Sequence, residues 1–253
     1  MSGIPLQTGI IYGPILSRRL GRSLGINLLP TSCKVCSLDC IYCQYGPAKP
    51  VLPDRIDKLF PTTDEVLWQV ERALKKPRSI NYLTFSGNGE PTLHPDFVHI
   101  VRGVQSLRNK FRPEVQLAIL TNSTGDTQPD VLTALKMMDA PMMKLDAGDE
   151  QTFNAINRPA QPEEFWNFVD GLKKIPNLMI QSMLVDGEIS NIKGPSFTAW
   201  VELLVDLEPH QIHLYSIERP PADERVVPVA PKKLEKIASD LKNNFNLKVN
   251  AFW

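Results

Sequence analysis

Residues 33–46, CKVCSLDCIYCQYG, hold all four cysteines of the chain, Cys33, Cys36, Cys40 and Cys43, in the spacing C-x2-C-x3-C-x2-C. The rest of the 253 residues have none. A short apolar run, 24–29, comes just before this stretch and reads as a strand, so the cysteines fall on the loop at its carboxyl end. Open α/β sheets place their ligands at that end.

Three uses of the sulfur compete. A structural zinc site takes two cysteine pairs joined by a span of roughly a dozen residues or more. Cys36 and Cys40 are only three residues apart, which is cramped for tetrahedral thiolates. Structural thiols packed in a core have no reason to gather on one loop. An iron–sulfur cluster is a larger body, and closely spaced thiolates of a single loop hold it readily.

The totals narrow the setting. Lys+Arg and Asp+Glu balance at 28 each with an apolar fraction of 42%, the profile of a chain with a real core and without the bulk basicity of a general nucleic-acid binder. Apolar runs such as 201–207 are too short to span a bilayer. The opening MSGIPLQTGI lacks the charged start and apolar stretch of a secretory leader. Ser17-Arg18-Arg19 mimics a twin-arginine signal, but Leu20-Gly21-Arg22-Ser23 and Pro30 follow it, with no cleavage box. The expectation is a cytoplasmic protein with no membrane association, where clustered thiols stay reduced.

Continuous apolar runs predict strands over 24–29, 82–86, 116–121, 143–146, 178–184 and 211–217, each covered on both faces as in a parallel sheet. Amphipathic helices separate them. Thr62-Thr63-Asp64-Glu65 is a capping box ahead of Val66, Leu67, Val70 and Leu74. Further helices begin at Pro95, Pro129, Pro162, Pro195 and Pro231, since proline suits the first helical turn. Residues 49–61 form the one extended proline-containing loop. About six β–α units predict an open, partial parallel β/α barrel, too short to close with eight. The chain reads as a single domain over 1–253, with the cysteine loop at 31–46 and a last helix and strand within 231–253.

The C-x3-C-x2-C of Cys36, Cys40 and Cys43, with Tyr42 before the last cysteine, resembles the signature of the radical S-adenosylmethionine enzymes. The resemblance implies that these three thiolates hold a [4Fe–4S] cluster whose fourth iron stays open to chelate S-adenosylmethionine, with Tyr42 near the adenine. Cys33 is surplus and reads as a non-ligand, because a catalytic metal site keeps an open position. A second signature, Ser86-Gly87-Asn88-Gly89-Glu90-Pro91-Thr92, follows the second predicted strand. The family carries Gly-Gly-Glu there, against the cofactor's amino group. Gly89 and Glu90 match, Asn88 departs, and asparagine tolerates positive φ well enough to keep the turn. The alternative for Glu90 is an exposed loop charge.

Past this point each residue has two readings. Asn122 ends the third predicted strand and joins Gly87, Asn88, Gly89, Glu90, Tyr42 and Gln181 as candidate cofactor contacts. Lys144 and Asp146 alternate on the fourth and so face one side; they either pair with each other or meet a ligand. With Arg219, they are the candidate catalytic residues. His94, His99, His210 and His213 read as loop, helix or strand-end residues.

The segments GPILSRRLGRSLGINLLP, FSGNGEPTLHPDF, KLDAGDEQTFNAINRP and Arg219-Pro220-Pro221 are similar to short iron–sulfur proteins related to the tRNA wyosine-base synthases. The archaeal synthases carry further cysteines upstream, and this chain has none before Cys33. The resemblance implies an electron donor such as flavodoxin or ferredoxin, reductive cleavage of S-adenosylmethionine, and hydrogen abstraction by a 5′-deoxyadenosyl radical. A tRNA base is the first substrate implied, with Arg18, Arg19, Arg22, Arg108, Lys110 and Arg112 as a phosphate-binding face. Activation of a glycyl-radical or other protein partner is the alternative. A zinc or iron–sulfur interaction module is the non-enzyme reading.

Overall fold

The computed structural model describes residues 4–46, 59–160, 165–219, 221 and 223–253. A hairpin opens the sheet: β1 (Ile11–Ser17) pairs antiparallel with β2 (Gly21–Ile26). Parallel strands follow in order, β3 (Tyr82–Phe85), β4 (Gln116–Thr121), β5 (Ala140–Lys144), β6 (Met179–Gly187) and β7 (Gln211–Ser216). The last strand, β9 (Val249–Phe252), lies parallel beside β7, and short β8 (Val226–Pro228) pairs antiparallel with β6. In the order β1-β2-β3-β4-β5-β6-β7-β9, the two outer strands do not pair with each other. The result is the open, mostly parallel barrel that the strand–helix alternation predicts.

Helices cover the outside: α1 (Thr63–Leu74), α2 (Phe97–Phe111), α3 (Pro129–Leu135), α4 (Glu150–Asn157), α5 (Phe165–Leu172), α6 (Gly194–Leu207) and α7 (Pro231–Phe245). The capping box forms as read: Glu65 N–H donates to Thr62 Oγ1 at 3.3 Å and Thr62 N–H to Glu65 Oε2 at 2.8 Å. Val66, Val70, Ala73 and Leu74 put the apolar stripe of α1 inward. Pro129 and Pro231 open α3 and α7, Pro195 is the second residue of α6, and α2 starts two residues after Pro95. Pro162 and most of the 49–61 loop lie outside the described residues.

The predicted elements shift in places. The first parallel strand runs Gly21–Ile26, three residues earlier than expected. Asn27 ends it: its Nδ2 donates to the Leu29 carbonyl at 2.8 Å and its Oδ1 accepts from Leu29 N–H at 3.3 Å. Leu28 and Leu29 stay buried in that turn, so the apolar run outlasts the strand. Residues 143–146 are likewise only partly strand, since β5 ends at Lys144 and Asp146 lies beyond it. β1 escaped prediction because Gly13-Pro14 interrupts it and much of it is exposed; proline is tolerated there because β1 is an edge strand. α4 also went unread, although Asp149 caps it, accepting from Thr152 N–H at 2.7 Å.

Candidate functional site

The carboxyl ends of β2 to β7 converge on a cavity of about 320 Å³. Cys36, Cys40 and Cys43 all line it; Cys33 does not. Backbone bonds fix the cysteine loop on both flanks. Val35 N–H donates to the Asn88 carbonyl at 2.9 Å, and Glu90 N–H returns to the Val35 carbonyl at 2.8 Å. On the other side, Ile41 N–H donates to the Ile156 carbonyl at 2.9 Å and Asp39 N–H to that of Asn157 at 3.1 Å.

The second signature supplies the close approach. The positive-φ residues of its turn are Gly87, at 136°, and Gly89, at 140°. Asn88 is not among them, which corrects the expectation for that position. Asn88 is instead a buried staple, donating from Nδ2 to the Gln7 and Pro30 carbonyls at 3.0 and 2.8 Å. A Cβ on Gly89 would fall 1.7 Å from the Val35 carbonyl oxygen, so only glycine lets the two loops meet.

Glu90 is no exposed loop charge: it is 1% accessible. Four protein donors reach it, Thr92 N–H and Oγ1 at 3.1 and 2.8 Å, Thr121 Oγ1 at 2.8 Å and Asn122 N–H at 2.6 Å. Burial raises its pKa against the pull of those bonds. Asn122 also donates from Nδ2 to Ser37 Oγ at 2.8 Å and toward Cys36 Sγ at 3.5 Å.

Lys144 and Asp146 pair with each other, the first of their two readings. Lys144 lines the cavity, and its Nζ stands 3.3 Å from Asp146 Oδ2 and 2.7 Å from Tyr42 Oη, to which it donates. Asp146 accepts from Tyr42 Oη, from Asn157 Nδ2 at 2.8 Å and from Met183 N–H at 2.8 Å. Asp146 itself does not line the cavity. Burial opposes the Lys144 charge, yet Asp146, Tyr215 and Cys40 outweigh it and hold the ammonium above its usual range. Tyr42 is pushed well up, by burial first and by Asp146 next.

Asn157 was missed in the sequence, and it also donates to Cys40 Sγ at 3.4 Å. Its place in the quoted segment KLDAGDEQTFNAINRP was the available signal.

Gln181 lines the cavity with its amide already engaged. Nε2 donates to the Met142 and Thr121 carbonyls at 2.9 and 3.3 Å, while Oε1 accepts from Arg19 Nη1 at 2.7 Å. Gly87 and Arg219 line a wider cleft of about 820 Å³ that shares Arg19, Gln44, Tyr45, Leu120, Met183 and Tyr215 with the inner cavity. Arg219 is exposed and reaches Gln44 Oε1 at 3.5 Å. The expected phosphate-binding face does not assemble as a whole: Arg18 and Arg19 line the cleft, but Arg108 and Arg112 do not. Arg108 is buried against Asp139 at 3.0 Å and the Val115 carbonyl, and Arg112 spends its guanidinium on the carbonyls of Leu74, Lys76 and Arg78. Both brace the far end of the barrel. His94 is a loop residue, as read, with Nε2 against the Pro61 carbonyl at 2.8 Å, whereas His213 is buried inside β7 rather than at its end.

Among the described residues, no group of three or more His, Cys, Asp and Glu converges to hold a single metal ion. Three thiols sharing one cavity wall without converging suit a body larger than one ion. Lys34 stands by them: burial works against its charge, but Cys43, Cys36 and Asp39 raise its pKa. Burial pushes the Cys36 thiol up to about 12, with Cys40 and Glu90 adding to it, and raises that of Cys40. Such thiols bind as thiolates only once a cation replaces their protons. The donor set therefore fits a [4Fe–4S] cluster held by Cys36, Cys40 and Cys43.

The radical SAM superfamily pattern matches residues 31–190. The chain belongs to that superfamily. Its members are enzymes that use a [4Fe–4S] cluster and S-adenosylmethionine and draw on an electron donor. A UPF0026 protein of Methanocaldococcus jannaschii is 32% identical over 234 residues, covering 90% of this chain and 70% of that protein. A Brachyspira hyodysenteriae protein named GTPase Obg is 26% identical over 97% of this chain, which spans only 35% of that protein's length. Among solved structures, Streptococcus suis SuiB bound to S-adenosylmethionine matches 90% of this chain and 50% of its own, with a TM-score of 0.64 and 12% identity. Archaeal TYW1 matches 90% of this chain and 74% of its own, with a TM-score of 0.53 and 17% identity. These two likenesses are of fold. Among the described residues, no helix is long and apolar enough to cross a membrane.

Proposed function

We propose that this radical SAM enzyme acts on a nucleoside of tRNA, in the cytoplasm, with a flavodoxin or ferredoxin as electron donor. The observation that carries the substrate class is the cleft. It leads from the inner cavity to the surface between aromatic rings, Tyr12, Tyr45, Tyr215 and Phe252, with Arg18, Arg19 and Arg219 among them. Rings that stack an unstacked base beside cations that meet its phosphates are how proteins take single-stranded RNA. Bound here, the cluster and S-adenosylmethionine supply a one-electron cleavage and a hydrogen-abstracting radical.

The chain's own residues do the rest. Cys36, Cys40 and Cys43 would hold the cluster. Tyr42, Gly89, Glu90 and Asn122 shape the wall beside it, and Lys144 presents a fixed positive charge to the cavity. Half-buried Leu120 and buried Met183 help keep water out, which protects a reactive intermediate. The test is anaerobic turnover with deuterium-labelled tRNA, following deuterium into 5′-deoxyadenosine. Label arriving from tRNA supports the reading; turnover without label transfer sinks it.

One observation favours a second reading. Ile15 and Leu16, 48% and 82% exposed, both line the cleft. An apolar lip suits a protein surface, as activation of a glycyl-radical or other protein partner requires. Label arriving from a protein fraction of cell extract would select that reading.

A further inference from the structure

Three cations line the inner cavity: Lys34, Lys144 and Arg19. Lys34 has Asp39 at 3.2 Å and Lys144 has Asp146 at 3.3 Å. Among the described residues, Arg19 has no carboxylate within ion-pair distance, and its side chain donates to the neutral amide of Gln181 at 2.7 Å. Its guanidinium lies over the Tyr215 ring, 4.6 Å from the centroid. Gln181 is held in turn by the carbonyls of Met142 and Thr121, which fixes Oε1 toward Arg19. A planar cation is thus clamped from one side and from below, with donors to spare, where the inner cavity joins the cleft. A half-buried charge without a counter-ion is costly unless a ligand supplies one.

We propose that Arg19 is the anion-recognition residue of the substrate site and takes a phosphate flanking the reacting nucleoside. The inference rests on the tRNA reading for the identity of the phosphate. Two observations separate Arg19 from the cofactor. It sits on the β1–β2 turn, ahead of the 31–190 stretch shared with the superfamily. It also belongs to the outer cleft as much as to the inner cavity. The neighbouring aromatic rings favour a nucleotide over a carboxylate ligand, and the bidentate fork of arginine matches a phosphate.

The test uses full-length, anaerobically reconstituted protein saturated with S-adenosylmethionine and titrated with total tRNA at several salt concentrations. Arg19→Gln is expected to weaken binding roughly tenfold and to flatten the log–log salt slope by about one. Arg19→Lys is expected to keep the slope. Gln181→Glu, which hands Arg19 a counter-ion in place, should reproduce the flattened slope with the arginine still present. Wild-type affinity and slope in Arg19→Gln would overturn the proposal, as would a matching loss of S-adenosylmethionine affinity, which would make Arg19 a cofactor ligand. Should tRNA fail to bind the wild type, the tRNA reading falls and thermal melting decides on Arg19. Protection by pyrophosphate that vanishes in Arg19→Gln upholds phosphate recognition; protection by glutarate alone, or by neither, refutes it.

Discussion

The two walls of the cavity are built on opposite terms. On the wall made by β3, β4 and β5, every buried charge is answered. Glu90 has four donors, and Asp146 takes Tyr42, Asn157, Met183 and Lys144. The wall made by the β1–β2 hairpin and β7 leaves its charge open, with Arg19 on a neutral amide and a ring. A saturated network specifies one geometry, because breaking any member strands the others in low dielectric. An unsaturated cation keeps its interaction for whatever enters. On the proposed reading, the first wall serves the cofactor, which is the same in every turnover, and the second the substrate.

The largest effect should come from the loop that the first wall supports. Cys36→Ala, Cys40→Ala and Cys43→Ala are each expected to abolish reductant-dependent 5′-deoxyadenosine formation and to lose iron, while Cys33→Ala keeps both. Iron and sulfide analysis beside product assay checks this, and loss of iron in Cys33→Ala would break the ligand assignment. Next comes the network. Asp146→Ala leaves Lys144 without its carboxylate and is expected to cost about 3–5 kcal/mol, read as a fall in the unfolding midpoint in denaturant.

A third probe is pH. His213, buried on β7, is held down to about 4, first by burial and then by the Arg19 charge, and its Nδ1 has no partner among the described residues. Below its unfolded value of 6.5 the unfolded chain takes up a proton that the folded chain refuses. Stability is therefore full above that value and falls as pH drops toward 4, by up to about 3 kcal/mol. Thermal melts between those limits should show the loss, and His213→Gln should lack that share of it. Smallest is Arg19→Gln, expected to change folding stability by only about 1 kcal/mol. A fall as large as that of Asp146→Ala would erase the distinction between the walls.

Much of this was legible from residue order. Apolar runs alternating with capped amphipathic stretches gave the open parallel sheet, because local propensity and burial agree there. The cysteine spacing and Gly89-Glu90 marked the wall proposed for the cofactor, since close approach demands specific residues at fixed offsets. Other features were not legible. β1 is exposed and broken by Gly13-Pro14, so it carries no burial period. Arg108 and Arg112 look like surface cations until the fold sets them on carboxylate and carbonyl groups. Asn88 looked like a turn residue and is a staple across 81 positions, to Gln7.

By itself, then, the order of residues determined the chemistry of the cofactor loop, the strand–helix alternation and the superfamily, because each depends on neighbours a few positions apart. Only the tertiary structure decided which charges are spent and which remain available. Lys144 meets Tyr42 across 102 positions and Arg19 meets Gln181 across 162, and no local pattern records a partner brought that far by the curl of the sheet.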